Sequence, residues 1–236
     1  MWAAWLVLAL ALGLTGWVWH NVRTDVERDS RALFESRAKA VVKDIYERTE
    51  NYEQGLRGAT AVVSAPSDIA RRQWQSYSRS MELEENFPGL HTPIFIKASS
   101  PAKENVHRQP HGAGGMDYSI MYFQATATHA FKFRALYYKN LSDSVHQDAM
   151  ERARDTGMAA ISRKITITHE HEGVGSNGFL MYFPAYREGA PTETVAQRRA
   201  ALIGYVSSPV HMRDMIKPIT HAEGVGLDLH IFDGNY

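Results

Sequence analysis

The first candidate for chemistry in this sequence is the run His169-Glu170-His171-Glu172. The run overlaps the end of ISRKITITHE, a stretch that alternates with period two and predicts a strand. On a strand, both histidines would point to one face. Two imidazoles and a carboxylate can hold zinc, and imidazole also titrates near neutral pH. A solvated strand end is the simpler interpretation. We therefore predict no resident metal, and we keep a metal or pH sensor through His169 and His171 as an alternative.

Two other motifs do not support enzyme chemistry. The stretch GVGSNG over residues 173–178 matches the glycine pattern of dinucleotide-binding loops, but such a loop needs a following helix to meet the phosphate. The residues GFLMYFPAY predict a strand instead, and Pro184 excludes a helix. The chain also contains no Gly-x-Ser-x-Gly motif and no cysteine. We predict a hairpin turn here, no catalytic residue and no cofactor.

A pocket for a small molecule is the remaining candidate for a functional site. The strand Phe179-Leu180-Met181-Tyr182-Phe183 carries no charge, so both of its faces can be covered. Methionine and aromatic side chains commonly line small-molecule sites. Ser162, at the start of the preceding strand, adds a small hydroxyl that can hydrogen-bond a ligand. We predict that Ser162, Phe179, Met181 and Phe183 line the site, although an ordinary sheet core would give the same pattern.

Charge and cysteine content exclude several classes of partner. Lys plus Arg and Asp plus Glu number 26 each, so no overall field attracts nucleic acid. The lack of cysteine excludes disulfides and thiolate sites, and it is compatible with a periplasmic domain. With 236 residues, 44% of them hydrophobic, the chain can bury one substantial core or two small ones.

The elements that position these residues begin with an apolar segment. No charged residue occurs from Trp2 to Trp19, a stretch that spans about 27 Å as a helix, close to the ~30 Å of a bilayer core. Tryptophans crowd both ends of the stretch, where they prefer the headgroup level. A cleaved signal peptide is the rival interpretation, but no Lys or Arg precedes Trp2. We predict a transmembrane anchor over residues 1–21.

A long polar helix is predicted after the anchor. No proline interrupts residues 22–65, and apolar or small residues recur there at steps of four and three. Thr49 and Tyr52 in this stripe are poor coiled-coil core residues. We therefore predict a helix that packs partly on its own domain and partly on a second copy, which gives a homodimer. The stripe consists of Ala38, Val42, Ile45, Thr49, Tyr52, Leu56, Ala59 and Val63.

The rest of the chain predicts short helices beside antiparallel strands, the α+β class. Pro66 ends the long helix, and a second helix ends before Phe87-Pro88-Gly89. A third helix is predicted from about Asp143, with Gly157 as the residue just after its end, and a fourth after Pro209. Strands are predicted over residues 92–97, within 118–138, and over 161–170, 178–186, 200–208 and 226–232.

The sequence resembles the CHASE domains, which are extracellular sensory modules of receptor histidine kinases and nucleotide cyclases, including the plant cytokinin receptors. The resemblance rests on a helix closing in RARDTG, the strand GFLMYFPAY, and the later stretches QRRAALIGYVSSP and LDLHIFDG. Upstream, Trp74, Tyr77 and Phe87-Pro88-Gly89 are also similar to the family. The resemblance covers residues 24–90 loosely and 148–234 well.

The resemblance implies two PAS-like subdomains after the long helix, a membrane-distal one over residues 66–186 and a membrane-proximal one over 187–236. It also implies an N-terminal anchor in the inner membrane, a periplasmic or extracellular sensor, a second membrane helix and a cytoplasmic kinase or diguanylate cyclase output domain. In cytokinin-binding members the distal subdomain holds the ligand. A small hydroxyl residue of that pocket falls at Ser162, beside the strand around Met181.

We therefore predict a non-catalytic input domain that binds an unknown small molecule and passes a conformational change across the membrane. Two alternatives stay open. The first is a module that binds a partner protein, or only dimerises the receptor, without a small ligand. The second is the metal or pH sensor through His169 and His171.

Overall fold

The computed structural model describes residues 2–63, 67–99, 117–123, 144–168, 175–222 and 229–232. The histidines at positions 169 and 171, predicted as metal candidates, lie outside the described residues. The chain divides into two compact units, Met1–Tyr46 and Glu47–Tyr236. The described part of the first unit is helical throughout, and the second unit contains a sheet with its flanking helices.

The first helix, α1, runs over Trp2–Val63 and confirms the prediction of a long helix. In the second unit the predicted stripe is buried, because Tyr52, Leu56 and Ala59 are fully covered and Val63 is 8% exposed. In the first unit α1 exposes its apolar side chains instead, including Val22, Val26, Leu33 and Phe34. Within the described residues, no helix has the length and apolar character needed to cross a membrane.

Helices α2 (Ser67–Ser80) and α3 (Leu83–Asn86) follow, and Tyr77 of α2 contacts the C-terminal part of α1. The Tyr77 hydroxyl donates a hydrogen bond of 2.5 Å to the carbonyl of Gly55, and it fills the space that a side chain at Gly58 would need. The side chains of Met81 and Phe87 lie against Gly55. The two glycines therefore let these side chains approach the backbone of α1 closely.

In the described part of the second unit, the core is a six-stranded sheet. Its strands are β1 (Ile94–Ser99), β2 (Asp117–Phe123), β3 (Ala160–Ile161), β4 (Ile165–Thr168), β5 (Gly175–Tyr186) and β6 (Leu202–His211). The order across the sheet is β2-β1-β6-β5-β3, with β4 also paired to β5, and the pairings are antiparallel. The mainly antiparallel α+β class predicted from the sequence is therefore confirmed.

Strand β6 lies in the middle of the sheet. Its residue Ser207 is paired with Ile94 of β1 on one side and with Tyr182 of β5 on the other. The division predicted at residue 186 thus separates two neighbouring strands of one sheet rather than two sheets. Alternation along residues 200–208 predicts a strand, but only long-range pairing identifies the strands beside it.

Among its described residues, the second unit also has the helices α4 (Ser144–Thr156), α5 (Val195–Ala201) and α6 (Met212–Ala222). Gly157 follows α4 with a φ of 78°, as predicted for the residue after the helix end. Thr194 and Gln197 form a capping box at the start of α5. β6 continues past Pro209 to His211, two residues beyond the predicted helix start. Residues 229–232, predicted as part of a strand, form no strand.

Candidate ligand-binding site

Strand β5 presents its alternate side chains to two different helices. Leu180 and Tyr182 belong to a buried cluster with Ala149, Met150 and Ala153 of helix α4. Since side chains alternate along a strand, Phe179, Met181 and Phe183 lie on the opposite face. All three are less than a tenth exposed. The guanidinium of Arg57 in helix α1 lies over the Phe183 ring, 5.3 Å from its centre, which shows that this second face meets α1.

The predicted ligand contact Ser162 is buried and already hydrogen-bonded. Its N–H donates to the carbonyl of Leu180 at 2.8 Å, and its hydroxyl accepts from the N–H of Leu180 at 2.9 Å. The same hydroxyl donates to the carbonyl of Arg163 at 2.8 Å. Ser162 therefore extends the pairing of β3 with β5, and its side chain takes the place of a backbone acceptor.

The four predicted site residues are consequently not brought together. Ser162 lies beside Leu180 of β5, whereas Phe179, Met181 and Phe183 lie on the face of β5 where Phe183 contacts Arg57 of helix α1. The three strand residues predicted for the site, Phe179, Met181 and Phe183, do share one face of β5. Tyr182 and Tyr186 share the other face with Leu180.

The face of the sheet beneath helix α4 carries a group of aromatic side chains with polar tips, which we name the tyrosine face. The ring centres of Tyr182 and Tyr205 are 6.3 Å apart in an edge-to-face arrangement, and those of Tyr118 and Tyr205 are 6.1 Å apart. The Tyr182 hydroxyl lies 3.0 Å from Nδ1 of His146 in α4. The face consists of Tyr118, His146, Tyr182, Tyr186 and Tyr205.

The hydroxyl of Tyr205 is the distinctive atom of this face. It interacts with the Tyr118 hydroxyl, but no partner among the described residues meets both the distance and the angle of a hydrogen bond. Burial raises the pKa of Tyr205 and of Tyr118 above the ordinary value for a phenol, so both hydroxyls stay protonated at neutral pH. A buried phenol in this state can donate a hydrogen bond to an incoming acceptor.

An ion-pair network lies at one end of the tyrosine face. Tyr186 donates its hydroxyl hydrogen to the carbonyl of Arg154 at 2.6 Å, and burial raises its pKa to about 12. The side chain of Asp155 lies 2.6 Å from Arg199 and 2.7 Å from Arg154. Hydrogen bonds from Arg199 and Arg154 hold the pKa of Asp155 well below its usual range. This network ties helix α4 to helix α5 and places the Arg154 charge beside the phenols.

The arrangement suits binding rather than catalysis. It combines a buried aromatic surface with a few convergent polar atoms, the composition common in small-molecule sites. Within the described ranges no group of three metal-ligating side chains occurs. The sequence analysis missed Tyr182 and Tyr205, although both stand out when GFLMYFPAY and LIGYVSS are divided into alternate positions.

Comparison with known proteins adds the family. The CHASE domain model matches residues 67–236. Among curated protein sequences none matches this chain. The ligand-binding domain of the Pseudomonas aeruginosa amino acid chemoreceptor PctC, in complex with GABA, is similar at 11% identity and a TM-score of 0.44, covering 81% of this chain and 67% of that one. The periplasmic sensory domain of the Campylobacter jejuni chemoreceptor Tlp1 is also similar, at 11% identity and a TM-score of 0.44. The match covers 81% of this chain and 63% of that one. Because the family model covers most of the sequence, this chain belongs to the CHASE domain family.

Proposed function

We propose that this chain is the extracellular sensory input domain of a membrane receptor and that it binds a small molecule on the tyrosine face. Membership of the CHASE domain family supports the sensory role. The observation that carries the site is the buried Tyr205 hydroxyl, which lacks a well-formed hydrogen bond in the described part of the chain. A buried polar group of this kind costs free energy unless a partner satisfies it, and a ligand acceptor would do so.

The chemistry of the face defines a class of ligand. The four phenols and one imidazole of the tyrosine face offer stacking surfaces and hydrogen bonds to a flat or apolar molecule that carries an acceptor atom. The nearby Arg154 guanidinium favours an acceptor with partial or full negative charge. Ser162 and Met181 have structural roles in this proposal. Ser162 bonds β3 to β5 through Leu180, and Met181 is buried on the opposite face of β5.

The proposal includes a helix over residues 22–65 that contacts a second copy. The exposed apolar side chains of Val22, Val26, Leu33 and Phe34 support self-association. They are accompanied by surface ion pairs within the helix, such as Arg31 with Glu35. The output domain of the receptor, a kinase or a diguanylate cyclase, lies beyond this chain in the proposal.

Strand β5 offers a route from the ligand to the long helix. Tyr182 on one side of the strand belongs to the tyrosine face, and Phe183 on the other side contacts Arg57 of α1. A ligand that shifts β5 changes both contacts, because adjacent residues of a strand move together. The ligand must bind the shifted state more tightly in order to favour it.

Thermal unfolding of the full chain against a library of purines, small organic acids and amino acids tests the proposal. A ligand at 100 times its dissociation constant stabilises the domain by about 2.7 kcal/mol. We expect Tyr205→Phe to fold normally and to lose most of that shift. Tyr46→Phe is the matched control, since Tyr46 is 69% exposed.

Two results would count against this function. Equal stabilisation of the wild type and of both Tyr205→Phe and Tyr182→Phe would mean that the ligand binds elsewhere. If no compound stabilises the chain and purified receptor partners do, the domain recognises a protein instead.

A further inference from the structure

A nearly buried arginine lies at the end of the tyrosine face, in the last turn of helix α4. The side chain of Arg154 is only 12% exposed. Its Nε donates a hydrogen bond of 2.7 Å to the carboxylate of Asp155. Within the described part of the chain this is the hydrogen bond that the guanidinium makes, so its two terminal nitrogens have no acceptor there. Charged donors that are buried in this state favour an anionic partner.

The charges around Arg154 sum to a positive excess. Asp155 is shared with Arg199, whose Nε and Nη2 lie 2.9 Å and 2.6 Å from its two oxygens. Glu151, one turn earlier in α4, is exposed and close enough to Arg199 to interact with its charge. Arg198 adds a third guanidinium, which donates to backbone carbonyls. Three guanidinium groups and two carboxylates therefore leave a local field that attracts an anion.

The backbone that carries Arg154 is fixed by hydrogen bonds from two other elements. The Tyr186 hydroxyl of β5 donates to the Arg154 carbonyl at 2.6 Å. Nε of Arg198 in α5 donates to the Asp155 carbonyl at 2.8 Å. The preceding residue, Ala153, is fully buried in the cluster beneath α4. Because the guanidinium is held in position before a ligand arrives, binding to it loses little conformational entropy.

Two phenols of the tyrosine face lie beside the same guanidinium. The ring centres of Tyr118 in β2 and Tyr205 in β6 are 6.1 Å apart. The positive charge of Arg154 acts on both hydroxyls, and burial keeps the two phenols protonated because it raises their pKa. The site therefore combines O–H donors from the sheet with N–H donors from α4.

A carboxylate is the ligand group that matches these donors. Its two oxygens accept a forked pair of hydrogen bonds from a guanidinium, and each oxygen keeps a further lone pair for a hydroxyl donor. A primary amide of the same shape replaces one oxygen by an N–H donor, which would face the N–H donors of Arg154. The aromatic rings of Tyr182 and Tyr205 offer an apolar surface for the rest of the molecule.

We propose that the ligand of the tyrosine face is an aromatic carboxylic acid whose carboxylate binds Arg154 together with the hydroxyls of Tyr118 and Tyr205. This inference rests on the proposed function, and it adds the class of ligand and the residue that selects it. Asp155 stays bonded to Nε of Arg154 in the complex and orients the guanidinium, while the terminal nitrogens bind the carboxylate.

Matched pairs of acids and amides test the class of ligand on the full chain. Thermal unfolding is measured with each acid and with its neutral amide, which has almost the same shape. We expect at least one acid to raise the midpoint and to bind about tenfold or more tightly than its amide, because its hydrogen bonds are charge-assisted. The compounds are benzoate, phenylacetate and cinnamate, with benzamide, phenylacetamide and cinnamamide.

Replacement of Arg154 tests the residue that selects the acid. Arg154→Gln should bind the acid and its amide with similar affinity, because the positive charge is removed. Arg154→Lys should keep part of the preference, since an ammonium retains the charge but not the planar fork. Arg163→Gln is the matched control, because it removes the same charge from an exposed side chain and should keep the full preference.

Three results would overturn the inference: no acid of the panel stabilises the wild type, acid and amide bind the wild type equally, or Arg154→Gln and Arg154→Lys keep the full preference for the acid. These outcomes differ from a failure of the proposed function. If acid and amide bind equally and Tyr205→Phe weakens both, the tyrosine face is the site and only the class of ligand is wrong. If an acid stabilises Tyr205→Phe and Tyr182→Phe as much as the wild type, the site itself is wrong.

Discussion

Arg57 lies over Phe183, with 5.3 Å between the guanidinium carbon and the ring centre, on the face of β5 opposite to Tyr182. The contact joins the C-terminal part of α1 to the central region of the sheet. Arg57 also pairs with Glu53 at 2.9 Å, which fixes the guanidinium from its own helix. One side chain therefore connects a strand that carries the proposed site with the helix that carries the proposed signal.

Replacement of Arg57 should reveal the strength of this contact. We expect Arg57→Gln to lower the free energy of unfolding by about 0.5–1 kcal/mol, the range for a partly exposed cation–π contact. In a Phe183→Leu background, Arg57→Gln should lower the free energy of unfolding much less. A double-mutant cycle of urea unfolding measures this difference. Arg31→Gln, with its side chain 83% exposed, is the control and should have no effect. If Arg57→Gln lowers the free energy of unfolding equally in both backgrounds, the Arg57 and Phe183 side chains do not stabilise each other.

Ser162→Ala separates a structural role from a ligand contact. The change leaves the buried N–H of Leu180 without its acceptor, so we expect a loss of about 1–3 kcal/mol in the free energy of unfolding. Ser80→Ala, at an exposed helix end, should stay within about 0.5 kcal/mol of the wild type. Ligand-induced stabilisation should survive in Ser162→Ala. If Ser162→Ala is as stable as the wild type but loses the ligand-induced stabilisation, Ser162 is the ligand contact predicted from the sequence.

Two glycines with similar backbone angles offer a matched steric test. Gly89 and Gly189 have φ values of 85° and 71°. A side chain at Gly89 would lie 2.7 Å from the His211 carbonyl and the Met215 nitrogen, whereas one at Gly189 would meet nothing within 4 Å. We expect Gly189→Ala to cost about 1 kcal/mol from its backbone angle alone. Gly89→Ala should cost about 1–3 kcal/mol more because the crowding atoms belong to the backbone. Similar denaturation midpoints for the two variants would mean that Gly89 does not lie close to the backbone of His211 and Met215.

Asp155 should make a pH-dependent contribution to stability. Its pKa in the folded chain is lower than in the unfolded chain, so its stabilisation is present above about pH 4 and lost as the pH falls below that value. We expect Asp155→Asn to cost about 1 kcal/mol at pH 7 and almost nothing near pH 2. Asp148→Asn in the same helix is the control, since Asp148 forms a single exposed pair with Arg152. A cost for Asp155→Asn that does not change with pH would exclude the ion pairs as its cause.

Local features of the fold were predictable because they depend on neighbouring residues. The long helix followed from the lack of proline, the end of α4 from Gly157, and strands β5 and β6 from alternation in their own segments. The buried half of the α1 stripe, from Tyr52 to Val63, likewise followed from its spacing. Family membership was predictable too, since it rests on motifs that are read directly from the chain.

Only the tertiary structure decided which of these elements meet. Strand β6 lies between β1 and β5 in one sheet, a pairing that no local pattern specifies. Ser162 resembled a ligand contact until its hydroxyl was found to accept the N–H of Leu180. The contact between His91 and His211 joins residues far apart in sequence. The sequence by itself thus determined the α+β elements and the family, because propensity, periodicity and motifs act over short distances. The partners of each strand and the grouping of the phenols come from long-range packing, which no local pattern specifies.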